Sequence, residues 1–376
     1  MKKVLSVLVM LLFAVCLFGC NGGKDDTINL GVVGPFTGNL STYGNNVKRG
    51  VEIAVEEINA NGGILGKEVK LLVEDTQGDG KQVKNAYYRV ADDAHFVVGE
   101  VTSGNSEILA AQAQEDKMPT ITASATAASV TQGRDYVFRS CFLDPAQGTA
   151  MAKFAFNTIQ AKTAVVVYDQ ADDYSKGVAE AFKVTAEELG IEVVEYNGGL
   201  TAGKSTYASL VQVVASKDAD CVFAPVYYGD VAVFAKELRA EGYTKPLLGA
   251  DGYDGVLGQL VAEDYGCVNN TYYSCHYDPN DEKVKAFVAK YKEKYNEEPA
   301  AFALLAYDAV YLIKAAMEKA GTTEAATVVK ALHEIDYKGG LTGDFKFDEN
   351  NNPLKTITVC EFVDGVAKYK ETVSAE

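Results

Sequence analysis

Short apolar runs alternate along this chain with longer segments in which apolar residues recur every three or four positions, which is the pattern of a β/α protein. Strands are predicted at Ile28 to Val33, Val69 to Glu74, His95 to Val101 and Thr120 to Ala123, with helices between them at Asn45 to Ala60, Lys81 to Asp92 and Ser106 to Glu115. In the first helix Val47, Val51, Ala54, Val55 and Ile58 fall on one face. The pattern then begins again. Strands at Ala164 to Tyr168, Ile191 to Glu195, Ala219 to Ala224 and Leu247-Leu248 alternate with helices at Lys176 to Leu189, through Tyr207, Leu210, Val211 and Val214, and around Phe234, Ala235 and Leu238. The tail reads as helices at Val284 to Tyr295, Ala303 to Ala320 and Glu324 to Ile335, then strand-like pieces at Gly343 to Phe347 and Thr356 to Val363.

Laid side by side, the two halves match element for element, so the expected fold class is α/β, with two doubly wound parallel-sheet lobes. In a sheet of strand order 2-1-3-4-5 the crevice opens where the order reverses, at the carboxyl ends of the strands. Three pairs of loops are therefore expected to line it. They are Ser41 to Gly44 with Asp172 to Gly177, Thr102-Ser103-Gly104 with Tyr227-Tyr228-Gly229, and Ser124-Ala125-Thr126 with Gly249 to Tyr253. Hydroxyls, backbone N–H groups and a helix start, with no base beside them, hold a small carboxylate well. Taken singly, each Ser or Thr is better explained as the end of a strand or the start of a helix, and the case for a site rests on the matching loops of the other half. Compactness sends the tail helices back to the first lobe and the last strands to the edge of the second. The expected division is 27–144 plus 277–353 for one lobe and 145–276 plus 354–376 for the other, with hinge crossings near Cys141 to Pro145, Ser274 to Tyr277 and Pro353.

Charge and composition narrow the partners. With 376 residues and a net charge of −17, the chain is long enough for two domains and too acidic for nucleic acid or anionic lipid to be its partner. Lys2-Lys3 and the apolar run Val4 to Phe18 suit an export signal spanning 1–19, and Leu17-Phe18-Gly19-Cys20 resembles the bacterial lipoprotein signal. Cys20 is then the lipidated first residue, and 20–26 a tether. Of the remaining cysteines, Cys141, Cys221 and Cys360 sit in or beside apolar runs and read as small hydrophobes, while a bridge between Cys267 and Cys275 stays open. Three scattered histidines, His95, His276 and His333, give no metal spacing, so neither metal nor cofactor is expected.

These residues, in this order, resemble the leucine/isoleucine/valine-binding family of extracellular solute-binding proteins that serve ABC transporters, with a type I periplasmic-binding-protein-like fold and a multi-strand hinge. The likeness is carried by Gly34-Pro35-Phe36-Thr37-Gly38 with Tyr43-Gly44, Asn59 to Gly66, Asp75-Thr76-Gln77, Gly99 to Ser103, Ser124-Ala125-Thr126, Asp173-Tyr174 and Gly249-Ala250-Asp251-Gly252. The resemblance implies that Ser103 and Thr126 hold a ligand α-carboxylate, and that the main chain near Ser124 and Ala125, with Asp251, holds the α-ammonium. Tyr43, Tyr174 and Tyr227 would wall in the side chain, Tyr228 replacing Tyr227 if the register shifts by one. It also implies an amino acid as ligand, permease subunits as partners, a monomer, and anchoring through Cys20 on the outer face of the bacterial cytoplasmic membrane.

No Lys or Arg in the pocket loops is placed to pair with a second carboxylate, and Arg134 and Arg139 read as solvated or hinge charges, so a neutral ligand is favoured, a branched-chain or other aliphatic amino acid before others. Amides, urea, short peptides and aromatic acids are the other ligands of the same fold. An enzyme is not expected. A serine hydrolase using Ser103 or Ser124 needs a base, yet His95 starts at the wrong edge of the sheet, and His276 is placed near a crossing rather than beside a serine. A sensory ectodomain would need a membrane helix and signalling module after the lobes, which the sequence to Glu376 does not carry.

Overall fold

The computed structural model describes residues 27–374, so the export signal, the tether and Cys20 lie outside the described residues. Two sheets organise the chain. The first contains β1 (Thr27–Gly34), β2 (Glu68–Asp75), β3 (Phe96–Gly99), β4 (Thr120–Thr122) and β5 (Val137–Arg139), all parallel, in the order β2-β1-β3-β4-β5. The second repeats that winding with β6 (Thr163–Val167), β7 (Glu192–Asn197), β8 (Cys221–Phe223), β9 (Leu247–Gly249) and β10 (Thr271–Cys275). Antiparallel β13 (Ile357–Val363) and β14 (Val366–Val373) extend it past β10, while β11 (Asp336–Tyr337) and β12 (Phe345–Lys346) pair separately. Helices cover both faces of the parallel strands, which explains why β3, β4 and β8 are short and buried throughout.

The apolar stripes determine what packs where. On α1 (Ser41–Ala60) the residues Val47, Val51, Ala54, Val55 and Ile58 are all buried, and the helix lies against α9 (Ala301–Ala320) in the core of the first lobe. That approach is close enough to require Gly50, where a Cβ would stand 2.1 Å from the Ala303 carbonyl oxygen. Through Val284, Phe287 and Tyr291, α8 (Glu282–Tyr295) packs on Ile53, Ala303 and Leu304, so these tail helices sit on the first sheet. The chain passes between the sheets after β5, after β10 and before β13. Lys355, half-buried in the last crossing, donates to Ser140 O (2.6 Å) and Thr342 Oγ1 (2.7 Å), tying that crossing to the first one.

Several helices begin earlier than the sequence predicts. The first starts at Ser41 rather than Asn45, α3 (Ser103–Asp116) at Ser103 rather than Ser106, and α5 (Asp173–Glu188) at Asp173 rather than Lys176. The residues read as loop in fact form the first turns. Among these three, only Asp172 caps with its side chain, accepting from Ser175 N at 2.8 Å; the residues before α1 and α3, Leu40 and Thr102, make no such bond. First-turn N–H groups lack intrahelical partners in any case, so an uncapped start at a cleft leaves donors for whatever enters it. Four strands went unpredicted, the two-residue β11 among them. β5 spans only three residues, β10 is a Tyr-Tyr-Ser run with no alternation, and β14 is an edge strand whose Lys368, Lys370 and Glu371 hide the apolar pattern. All five cysteines from Cys141 onward are free thiols, so no bridge joins Cys267 to Cys275.

Candidate functional site

A narrow cavity lies where the carboxyl ends of the two sets of parallel strands meet. Its volume is about 10 Å3, scarcely the room of one water molecule, so the lobes stand closed upon each other. Ser103, Ser124, Thr126, Tyr174, Tyr227 and Asp251 line it, brought from both lobes, together with Thr102 and Gly252 from the loops expected there and with Phe302, which sequence reasoning missed.

The first lobe builds its wall from the loop after β3 and the loop after β4. Glu100 is fully buried and accepts from Thr76 Oγ1 (2.7 Å), Val101 N (2.6 Å) and Thr102 N (3.0 Å), which fixes the approach to α3 and uses those two amides. Ser103 opens the helix, its Oγ accepting from Ala127 N at 3.2 Å. Ser124 Oγ donates to Val101 O (2.8 Å), joining the two loops. Behind them Arg139, fully buried rather than solvated, donates to Ala125 O (2.6 Å), Ala127 O (2.7 Å) and Thr131 Oγ1 (3.0 Å). Its guanidinium braces the hydroxyl loop from the rear. Ala125 thus lies behind the wall, its carbonyl already engaged.

The second lobe's wall is aromatic and acidic. Tyr174, in the first turn of α5, stacks on Tyr227 with centroids 5.1 Å apart and accepts at its hydroxyl from Gly252 N (2.9 Å). Only glycine fits at 252, since a Cβ there would stand 2.8 Å from both the Tyr174 hydroxyl and the Val226 carbonyl. Tyr227 precedes α7 (Tyr228–Ala240), and its hydroxyl donates to Asp172 Oδ2 at 3.4 Å. The register is therefore Tyr227, while Tyr228 turns away and donates to Asn39 O (2.7 Å) in the other lobe. Tyr43 is wholly buried behind the cavity rather than on its surface. It donates to Gly252 O (2.5 Å) and accepts from Tyr228 N (3.3 Å), bonding one lobe to the other. Asp254 adds a further such tie by accepting from Ala301 N at the start of α9, and burial raises its pKa to about 6.

Asp251 occupies the first position of a single 3-10 turn, Asp251–Tyr253, after β9. Its carboxylate Oδ2 lies 2.9 Å from His276 Nε2, and both side chains are buried. Burial pushes the His276 pKa down against the pull of Asp251, so the imidazole is neutral near pH 7 and donates its Nε2–H. His276 therefore does reach the site, contrary to the sequence reading that left it aside at the crossing. The signal was its place there, but only the fold shows which way the ring turns. Neither Ser103 nor Ser124 bonds to it, and neither serine has a base within hydrogen-bond reach among the described residues. Beneath Asp251, Gln147 Oε1 accepts from Asp251 N (3.1 Å) and Ser274 Oγ (2.7 Å), and Gln147 Nε2 donates to Asp144 Oδ1 (3.1 Å). Burial pushes the Asp144 carboxyl up to about 8.

A family model described as periplasmic binding protein matches residues 27–365. A Leu/Ile/Val-binding protein homolog 3 from Brucella melitensis is 33% identical over 316 residues, covering 82% of this chain and 83% of that one. The leucine binding protein LivK of Thermotoga maritima superposes with a TM-score of 0.84 at 32% identity, covering 93% of this chain and 99% of that chain. A branched-chain amino acid transporter substrate-binding protein, LivJ of Streptococcus pneumoniae in complex with isoleucine, gives a TM-score of 0.86 at 31% identity, with the same coverage.

Proposed function

The chain belongs to the leucine/isoleucine/valine-binding family of periplasmic binding proteins, and from that premise we propose that it captures one small neutral α-amino acid between its lobes for an ABC importer. One observation carries this reading. A buried carboxylate, Asp251, faces across the cavity an acid-free helix start furnished with the hydroxyls of Ser103, Ser124 and Thr126. A zwitterion needs neutral donors for its carboxylate and one acid for its ammonium, and the two walls offer them on opposite sides. Ser103 and Thr126 take the carboxylate, while Asp251 and the main chain near Ser124 take the ammonium. Tyr174, Tyr227 and Phe302 enclose the side chain, with Tyr43 behind them. The lobes, 27–144 plus 277–353 and 145–276 plus 354–376, open and close about their three crossings, and permease subunits receive the ligand.

A thermal-shift panel of the twenty amino acids with amides and benzoate tests the ligand class. A ligand present at about 100 times its Kd stabilises the folded chain by about 2.7 kcal/mol. Stabilisation by an aliphatic amino acid is expected; stabilisation by benzoate or an amide alone would overturn the reading. Anchoring through Cys20 is a separate proposal resting on Leu17-Phe18-Gly19-Cys20. Cys20→Ser should move the protein from the membrane fraction to the soluble one with ligand affinity intact, and a variant still bound to the membrane would refute the anchor.

A further inference from the structure

The geometry points to His276 as a positioning residue that turns one oxygen of Asp251 toward the ligand amine and so makes the site select for amine-bearing ligands. This rests on the reading of Asp251 as the ammonium acceptor. An aspartate at the start of a one-turn 3-10 segment has little local structure to hold its side chain. Here it is held twice, once by Gln147 and once by His276. Its main-chain N–H is bonded to Gln147, whose Oε1 is in turn bonded by Ser274, and its Oδ2 is bonded by His276, two residues after Ser274. Ser274 lies in β10 and His276 in the bend just past its end, so the close of this one strand reaches Asp251 directly through His276 and indirectly through Ser274 and Gln147.

The imidazole itself has little freedom. It stacks on Phe142 with centroids 3.8 Å apart and meets Phe302 at 6.4 Å, and its side chain is wholly buried. Because a carboxylate only accepts, the proton of the ring sits on Nε2, and Nδ1, buried without a hydrogen-bond partner, is the unprotonated nitrogen. A neutral donor orients the carboxylate without cancelling its charge, as a Lys or Arg in the same place would. With Oδ2 occupied, Oδ1 carries no hydrogen bond among the described residues, and Asp251 lines the cavity. That oxygen is the acceptor left for an ammonium.

The test compares L-leucine, with L-valine and L-alanine alongside, against 4-methylpentanoate, which keeps the leucine skeleton and carboxylate and lacks the amine. His276→Phe preserves the ring and its stacking and deletes the donor. It should weaken L-leucine binding by about 10- to 100-fold, the worth of a hydrogen bond to a charged group, and change 4-methylpentanoate binding by less than about threefold. His276→Gln, whose amide N–H reaches toward the same oxygen, should recover most of the loss. Parent-like leucine affinity in His276→Phe, equal losses for both ligands, or a Gln variant no better than Phe would each overturn the assignment. Should the Phe variant fail to fold, nitrogen-15 spectra of the parent decide: a neutral ring protonated at Nε2 is expected, and an imidazolium or the Nδ1–H tautomer refutes the role. Asp251→Asn measured in parallel separates the two claims. If it keeps leucine affinity, the ammonium reading falls; if it loses affinity while His276→Phe does not, only the role of His276 falls.

Discussion

The two lobes share one winding and differ in the chemistry of the helix starts that meet at the cleft. In the first lobe α1 and α3 open with no acidic residue in the first turn. In the second, α5 opens with Asp173 after the cap Asp172, α7 carries Asp230 in its first turn, and the 3-10 turn begins with Asp251. A helix N-terminus carries roughly half a positive charge, and an acid in its first turn offsets it. The same fold thus presents an acid-free edge on one side and an acid-bearing edge on the other, and a few first-turn residues make the difference. Glu100 is the exception that fits the rule: it lies in the first lobe, but its carboxylate is spent on Thr76, Val101 and Thr102 inside the wall.

The largest expected effect comes from erasing that asymmetry. Asp251→Ala or Asp251→Asn removes the cation-binding side, and leaving a buried ammonium unpaired costs on the order of 3–5 kcal/mol, so amino-acid affinity should fall by about 10²- to 10³-fold or more. A deaminated analogue, already weak, should lose little further. On the other lobe Ser103→Ala deletes one donor among several and should cost about 1–3 kcal/mol for both ligands alike, since both have the carboxylate. Calorimetry on these variants with the two ligands reads the comparison directly. Equal losses for both ligands in the Asp251 variants would mean that the lobes do not divide the zwitterion as proposed.

A smaller effect tests the acid at the crossing between the lobes. Asp144 is buried beside Arg139 and Asp251, and its pKa of about 8 lies well above the ordinary carboxyl value of 3.8 because burial disfavours the charged form. Between those values the unfolded chain has lost this proton and the folded chain keeps it, so its contribution to stability is full at low pH and is lost as pH rises toward about 8. Asp144→Asn, neutral at every pH, escapes that loss. Thermal denaturation should show the variant gaining on the parent by up to a few kcal/mol between about pH 4.5 and 8 and no further above it. A difference that stays constant over the window would show that Asp144 is solvated or already charged at neutral pH.

Much of this architecture could be read from local periodicity. The doubled β/α alternation carries the strand order, and the residues at strand ends, Ser103, Ser124, Thr126, Tyr174, Tyr227 and Asp251, meet in one cavity because a parallel sheet puts all its carboxyl ends on one edge. What stayed hidden depends on where the chain crosses from lobe to lobe. Phe302 sits one residue ahead of the helix read at Ala303 to Ala320, His276 just past β10 and Gln147 in the helix after β5, and their directions are set by packing between distant parts of the chain. Arg139 misled for the opposite reason. Charge usually means exposure, but three carbonyl and hydroxyl acceptors compensate its burial. Tyr43 was placed at the right edge and given the wrong neighbour, since its hydroxyl bonds the opposite lobe.

That last bond gives the smallest effect and the sharpest control on the comparison. The Tyr43 hydroxyl is donor to Gly252 O and acceptor from Tyr228 N, both across the cleft, and burial raises its pKa so that it stays protonated. Tyr43→Phe leaves the ring where it is, 4.7 Å from Phe302 and 4.4 Å from Tyr228, and removes only the hydroxyl. In the closed form Gly252 O and Tyr228 N then lose this partner, whereas in an open form water replaces it. The variant should therefore favour opening by about 1 kcal/mol, the net worth of a neutral hydrogen bond, which lowers affinity by about fivefold. The loss should appear as faster dissociation with unchanged association, because the bond forms after the ligand has entered. It should also be the same for an amino acid and its deaminated analogue, since Tyr43 holds the lobes together and touches neither charged end of the ligand. Stopped-flow rates with both ligands check this, and a loss confined to the amine-bearing one would assign the hydroxyl to ligand recognition instead of closure.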